Sequence, residues 1–252
     1  MTSKLRIVTW NIHKGIGTDR AYRLDRVVEV LRELDADVVC LQEVDERVPR
    51  SADQRQGHLL ATELGYRHSA LGLNVRVKNG AYGNLTLSRF PLRRVRNVDL
   101  TVPPKKRRSG LVVDVVTGPP HGWRIANVHL GLLHLERQVQ VRRLMRHIFE
   151  DAHPDQPLVV LGDWNDWRSK LVRSVMNEWG FHIARSDHRP FGEKTFPSRR
   201  PVISLDKIVY RDPVTCHHVV CVLNRVTKVT SDHLPVMVEL EAPIHVEQRP
   251  LD

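Results

Sequence analysis

Cysteine, aromatic rings and long apolar runs are all scarce in this chain of 252 residues. Its three cysteines, an odd number, argue against a disulfide framework and fit a reducing cytoplasm. No stretch approaches the roughly 18 consecutive apolar residues that a membrane-spanning helix needs. Met1 to Arg6 lead into a strand-like run without the apolar core of a signal peptide. Aromatics make up only 6% of the chain, which weighs against a membrane-entering loop. Acidic groups are also in deficit. Against 39 Lys and Arg stand 29 Asp and Glu, a formal charge of +10, so an anionic partner or substrate is expected. Glycine and proline, 14 and 15 residues, are too few for a collagen-like or low-complexity chain.

What remains alternates between strand-length apolar runs and helical periodicity. Leu24, Val27, Val28, Leu31 and Leu34 predict a helix over about 21–34. Further helices are expected at 56–64 and 134–152. The latter should turn Leu135, Val139, Leu144, Met145, Ile148 and Phe149 inward and Arg137, Arg142, Arg143 and Arg146 to solvent. Strands are expected at 5–10, 37–44, 82–89, 111–116, 124–130, 158–161, 205–210, 218–223 and 236–240. The loops fall at 103–110 and 118–122. With no repeat and no long linker, the pattern reads as one α/β or α+β domain over 1–242 with a loose tail at 243–252, a monomer.

Several of these strands end in polar groups that packing alone does not require: Asn11, Gln42 and Glu43, Asn127 and His129, Asp163 and Asn165, Asp206, and Asp232 with His233. Glu43 and Asp232, helped by Asn11 and Asn165, offer hard oxygen ligands suited to Mg²⁺ or Mn²⁺. His233 beside Asp206 forms a base and its orienting carboxylate. His129 can donate to a phosphate oxygen, and Asp163 can handle the proton of a water or leaving group. This inventory suits hydrolysis of a phosphate ester.

The motifs Thr9-Trp-Asn11, Leu41-Gln-Glu-Val44, Asn127-Val-His-Leu-Gly131, Gly162-Asp-Trp-Asn165, Leu205-Asp-Lys-Ile208 and Ser231-Asp-His-Leu-Pro-Val236 follow one another in this order. Together they resemble the endonuclease/exonuclease/phosphatase superfamily, which includes DNase I-like nucleases, abasic-site endonucleases, inositol-polyphosphate 5-phosphatases and neutral sphingomyelinases. The resemblance runs from residue 5 to about 240. It implies a four-layer α/β/β/α sandwich of two packed mixed sheets, with the site at one rim. It also implies that Glu43 is the main metal ligand, with Asn11 and Asp232 close to the metal. Asp163 and Asn165 would contact phosphate and position reacting oxygens. His233, held by Asp206, would be the general base or else a phosphate donor, and His129 would stabilise the phosphoryl group.

His129 stands where abasic-site endonucleases carry Tyr, which favours the DNase I, sphingomyelinase and small bacterial phosphodiesterase branches. Tyr82 to Leu92 resembles the superfamily's Gly-Asn-x-x-Leu-Ser-Arg element, in which Asn84 would reach the substrate. Arg199 and Arg200 lie near Asp206 in sequence and are further substrate-binding candidates. Lys105 to Arg108 reads as a solvated basic loop or, should it line the site, as a hold for anionic substrate. Trp164 and Trp167 could be core or could wall the cleft. Cys216-His217-His218 with Cys221 lacks the paired spacing of a zinc site and alternates like a strand. The leading expectation is a metal-dependent phosphodiesterase or nuclease. A lipid-headgroup or small-diester hydrolase of the same fold is the alternative, and a non-catalytic anion-binding module is the opposing class.

Overall fold

The computed structural model describes residues 2–118 and 122–243. The expected tail at 243–252 therefore lies outside the described residues, apart from Pro243, which ends the last strand. Part of the loop at 118–122 lies outside them too.

The first half of the chain runs β1 (Thr2–Asn11), α1 (Leu24–Leu34), β2 (Val38–Glu46), α2 (Gln56–Glu63), β3 (His68–Val77), β4 (Gly80–Ser88) and β5 (Leu92–Asp99). It continues with β6 (Ser109–Val115), β7 (Trp123–His129), α3 (His134–Phe149), β8 (Leu158–Asp163) and α4 (Lys170–Trp179). The last part holds β9 (Phe181–Ile183), β10 (Asp206–Arg211), β11 (Thr215–Cys221), the short α5 (Thr227–Thr230) and β12 (Val236–Pro243). Two six-stranded mixed sheets result, in the orders β11-β12-β1-β2-β4-β3 and β5-β6-β7-β8-β10-β9. Each is centred on one parallel pair joined by a helix: β1 and β2 through α1, β7 and β8 through α3.

The apolar runs are continuous because both faces of each sheet are covered. Ile7, Val38, Cys40, Val113, Ile125, Val159, Ile208 and Val238 point between the sheets. Their alternate neighbours Val8, Val39 and Leu41 pack beneath α1 and α2. On the other side Val112, Ala126, Val160 and Val209 pack beneath α3 and α4. Helix, sheet, sheet and helix thus form the four expected layers, with period-2 alternation deciding which core each side chain enters.

Two expectations about α3 are corrected. Leu135 and Val139 lie outside, and Arg137 is buried. The first turn of α3 turns polar groups inward to serve the chain that enters it: Gln140 Oε1 accepts from Gly131 N (2.8 Å), and Arg137 Nη1 donates to Leu132 O (2.6 Å). The apolar face therefore begins one turn later, at Val141, Leu144, Met145 and Ile148.

Candidate active site

Carboxyl ends of the parallel pairs in both sheets point to one rim. Asp206 pairs in register with Asp163, and Asp163 with His129, so β7 and β8 end at this rim, and the antiparallel β10 starts there, each in a polar residue. Gly162 makes this close approach possible. Its φ is +134°, and a Cβ at this position would lie 2.0 Å from Val128 O. The sheets are tied together just below the rim. Gln42 Nε2 donates to Asn127 Oδ1 (2.8 Å), and Asn127 Nδ2 donates to Leu41 O and Leu85 O (3.1 and 2.9 Å). Asn84 completes this layer, donating to Ser109 O (3.0 Å) and Asn127 O (3.2 Å). It is fully buried, and its amide nitrogen bridges the two sheets. Gln42 and Asn127 thus join two β-layers where the sequence suggested only site chemistry.

Above that layer Asp163, Asp206 and His233 converge, their ligand-capable atoms all within 4.8 Å of one another. His233 Nδ1 meets Asp206 Oδ2 at 2.8 Å, and the same oxygen accepts from Thr195 Oγ1 at 2.5 Å. His233 Nε2 faces Asp163 Oδ2 at 3.9 Å, and His129 Nε2 faces it at 3.5 Å. Asn11 Nδ2 donates to this oxygen (3.1 Å), while Asn165 N donates to Asp163 Oδ1 (3.0 Å). The Asn165 side chain donates to Leu130 O (3.0 Å). Trp10 Nε1 fixes the backbone of His233 through its carbonyl at 2.9 Å. Thr195 and Trp10 are supporting groups the sequence reading missed, since neither carries titratable chemistry.

The electrostatics divide these residues. Burial opposes charge on His233, but Asp206 and Asp163 outweigh it and push its pKa up to about 10. Burial pushes Asp163 up to about 6, against the pull of His233. His129 is held well below its ordinary value, first by burial and then by the Arg108 charge. At neutral pH the cluster therefore pairs an imidazolium with carboxylates, beside a neutral imidazole.

Glu43 stands at a bulge of β2 between Leu41 and Val44, with φ +57°. Such a conformation costs a non-glycine residue about 1–2 kcal/mol and is a form of strain found at functional sites. Burial works against its carboxylate, yet the neighbouring His129, Lys14 and His13 hold its pKa down to about 2. Its carboxylate is ion-paired with Lys14. Lys14 Nζ, Arg50 Cζ and Lys106 Nζ lie 5.8, 5.2 and 5.2 Å from the Tyr82 ring centroid. The Lys105–Arg108 run is therefore no simple solvated loop: Lys105 to Arg107 are exposed, Lys106 covers Tyr82, and Arg108 is buried.

Of the three expected metal ligands, Asn11 meets Asp163, while Glu43 sits with Lys14. Asp232 is next to His233, and its Oδ1 accepts from Ser231 Oγ at 3.4 Å. The donor set is all hard oxygen and contains an ionised, largely buried carboxylate, so it fits Mg²⁺ or Mn²⁺. Arg199 and Arg200 are exposed on the loop after Phe196, and Arg199 Nε donates to Thr18 Oγ1 (3.1 Å). Phe196 packs on His233 with ring centroids 5.1 Å apart, and Trp167 packs on Phe196 at 5.9 Å. Trp167 thus walls the cleft, whereas Trp164 is core.

A model of the Endonuclease/Exonuclease/phosphatase family matches residues 8–233. Uncharacterized protein YbhP of Escherichia coli is 31% identical over 249 residues, covering 93% of this chain and 95% of the relative. An endonuclease/exonuclease/phosphatase structure from Beutenbergia cavernae superposes with a TM-score of 0.77 at 23% identity, covering 95% of this chain and 72% of that one. ANGEL2, a 2',3'-cyclic phosphatase solved with adenosine-2',3'-vanadate, gives a TM-score of 0.74 at 17% identity, covering 96% of each chain.

Proposed function

The chain belongs to the endonuclease/exonuclease/phosphatase family, and from that premise we propose that it is a Mg²⁺- or Mn²⁺-dependent phosphodiesterase. The observation that carries this reading is the buried Asp163, Asp206 and His233 cluster, with His129 against it and an ionised Glu43 nearby. Glu43, with Asn11 and Asp232, would hold the ion, which when bound neutralises phosphate charge.

The chain's own groups divide the remaining work. His233, kept protonated by Asp206, donates to a non-bridging phosphate oxygen, which favours the phosphate-donor role over the general-base role. Asp163, with a pKa near neutrality, accepts the proton of the attacking water. His129, neutral, donates a second hydrogen bond to the phosphoryl group, and Asn165 positions it. ANGEL2's substrate class, a phosphate on a nucleoside, and the +10 charge both favour a nucleotide diester.

One observation favours a second reading, a lipid-headgroup diester. Leu132, Leu133, Leu135 and Trp167 are 63%, 52%, 74% and 50% exposed, and all but Leu135 line one depression beside Asp166. Such a patch could enter a headgroup layer.

The test is cleavage of bis(p-nitrophenyl) phosphate, oligonucleotides and phospholipid micelles with Mg²⁺ or Mn²⁺. Cleavage should disappear with EDTA and in Glu43→Ala, with the circular dichroism spectrum retained. Failure of the wild-type protein on every diester with either metal would leave the anion-binding module as the better reading.

A further inference from the structure

A second polar cavity, about 300 Å³ in volume, opens on the same rim between β3 and the edge of the other sheet. Asn74, Arg76, Asp99, Arg107, Arg108 and Ser109 line it. Three of these residues bring buried atoms that find no hydrogen-bond partner among the described residues: Asn74 Oδ1, Arg108 Nε and Ser109 Oγ. Arg108 and Ser109 are themselves only 5% and 2% exposed. A buried polar atom left unmet is costly, and more so when it is charged. Three unmet atoms just beneath one cavity wall mark a polar surface that a ligand can engage fully only by shifting that wall, while the arginine side chains line the open space.

Strand register fixes where this cavity lies. Ser109 precedes Gly110, which pairs with Val128 next to His129. Leu73, also in the lining, pairs with Gly83 next to Tyr82, the ring that Lys14 and Lys106 cover. The cavity and the Asp163–His233 cluster are therefore neighbours along one edge, with Tyr82 and His129 between them. Three arginines face a single carboxylate, Asp99, which already accepts from Thr101 N at 2.8 Å. The net charge is positive, and guanidinium forks match phosphate oxygens.

We propose that this cavity is a subsite for a second phosphate group of the substrate, held by Arg76, Arg107 and Arg108 while the diester to be cleaved lies at Asp163 and His233. The inference rests on the phosphodiesterase reading. A second phosphate could come from a polynucleotide backbone or from a phosphorylated lipid headgroup, and the chemistry recognised is the same.

Two substrate pairs, each differing by one phosphate, separate these sources: TpT against TpTpT, and glycerophosphoinositol against its 4-phosphate. The additional phosphate should raise kcat/KM about tenfold or more in at least one pair, which names the source. That preference should fall at least about fivefold in Arg108→Gln and in Arg76→Gln. Arg76 is exposed, so its variant keeps the test open should Arg108→Gln fail to fold. Inorganic pyrophosphate binding, measured by calorimetry in EDTA, gives a readout that needs no turnover. Without a metal the acidic centre repels the anion, so binding reports the arginines. Weakened pyrophosphate binding in both variants supports the subsite. If no diester is cleaved but this weakening holds, the hydrolase reading fails and the anion site stands. Diester cleavage with equal preference in wild type and variants, or pyrophosphate binding unaffected by either substitution, overturns the proposal.

Discussion

Along a single rim, the two ends handle buried polar atoms differently. At Asp163 and His233 nearly every buried donor and acceptor is engaged, by Asn11, Asn165, Thr195 and the imidazoles, with Asp206 Oδ1 left over. At Arg108, Ser109 and Asn74 one atom of each residue has no partner among the described residues. Groups held by a full hydrogen-bond network are positioned before substrate arrives, as electrostatic catalysis requires. Groups left unmet beneath a cavity wall are satisfied only if that wall shifts as something binds. The difference separates a centre built for chemistry from one built for recognition.

The largest effect should fall at the first end. Asp163→Asn preserves shape and the bond from Asn165 N but removes the titrating proton acceptor. Proton transfer by a positioned group is worth about 10²–10⁴ in rate, so kcat on bis(p-nitrophenyl) phosphate should drop by about 10³. KM should move little. A drop below tenfold would show that Asp163 only orients its neighbours and would blur the contrast between the two ends.

A smaller effect sharpens the same contrast through stability. His233 binds its proton more tightly in the fold than in the unfolded chain: burial opposes the charge, but Asp206 and Asp163 raise its pKa to about 10, against an unfolded value of about 6.5. Its contribution is therefore complete below about pH 6.5 and is lost as pH rises through about 10. Lys207 acts in the opposite sense over an overlapping range. Burial lowers its pKa to about 8, so its contribution grows as pH rises. The difference between wild type and His233→Gln isolates the histidine. Urea midpoints in EDTA should differ most at about pH 6.5 and converge toward pH 10. A constant difference would mean that the Asp206 bond does not hold the proton.

Much of this was legible in the sequence. The central strands announce themselves as apolar runs, and the polar residues ending them break a pattern that packing would continue. Asp163, Asp206 and His233, far apart in the chain, meet as those motifs implied. The edge strands β3 and β5 were not expected: β5 is rich in Arg and lacks period-2 alternation, whereas β3, with Leu71, Leu73, Val75 and Val77 alternating with Gly72, Asn74 and Arg76, was legible but unread. Their strand character comes from partners β4 and β6. Buried charges were the other blind spot. Arg108 sits in a basic run that reads as solvated, and Lys207 lies within an apolar strand. Lys207 is buried because Ser204 O, Ser204 Oγ and Ser169 Oγ accept from its ammonium, at 2.5, 3.1 and 3.3 Å. Such partners exist only after folding, so no local pattern announces them.

The smallest effect concerns the mouth of the site, where Leu135 projects to solvent from the first turn of α3. Leu135→Gln removes no core contact, so stability should change by no more than about 0.5 kcal/mol. Soluble diesters, which meet the polar floor and not this apolar edge, should be cleaved at the wild-type rate. Leu144, about two and a half turns further along the same helix and buried, would behave otherwise: truncation to Ala there should cost about 2–5 kcal/mol, because it opens a cavity between α3 and the sheet it covers. Micellar phospholipid separates the two meanings that an exposed leucine can have. If its cleavage falls in Leu135→Gln while soluble diesters are untouched, the apolar edge is a membrane contact and the lipid reading gains over the nucleotide one. If both substrates are cleaved as before, Leu135 is an ordinary exposed side chain, and specificity rests with the arginines at the far end of the rim.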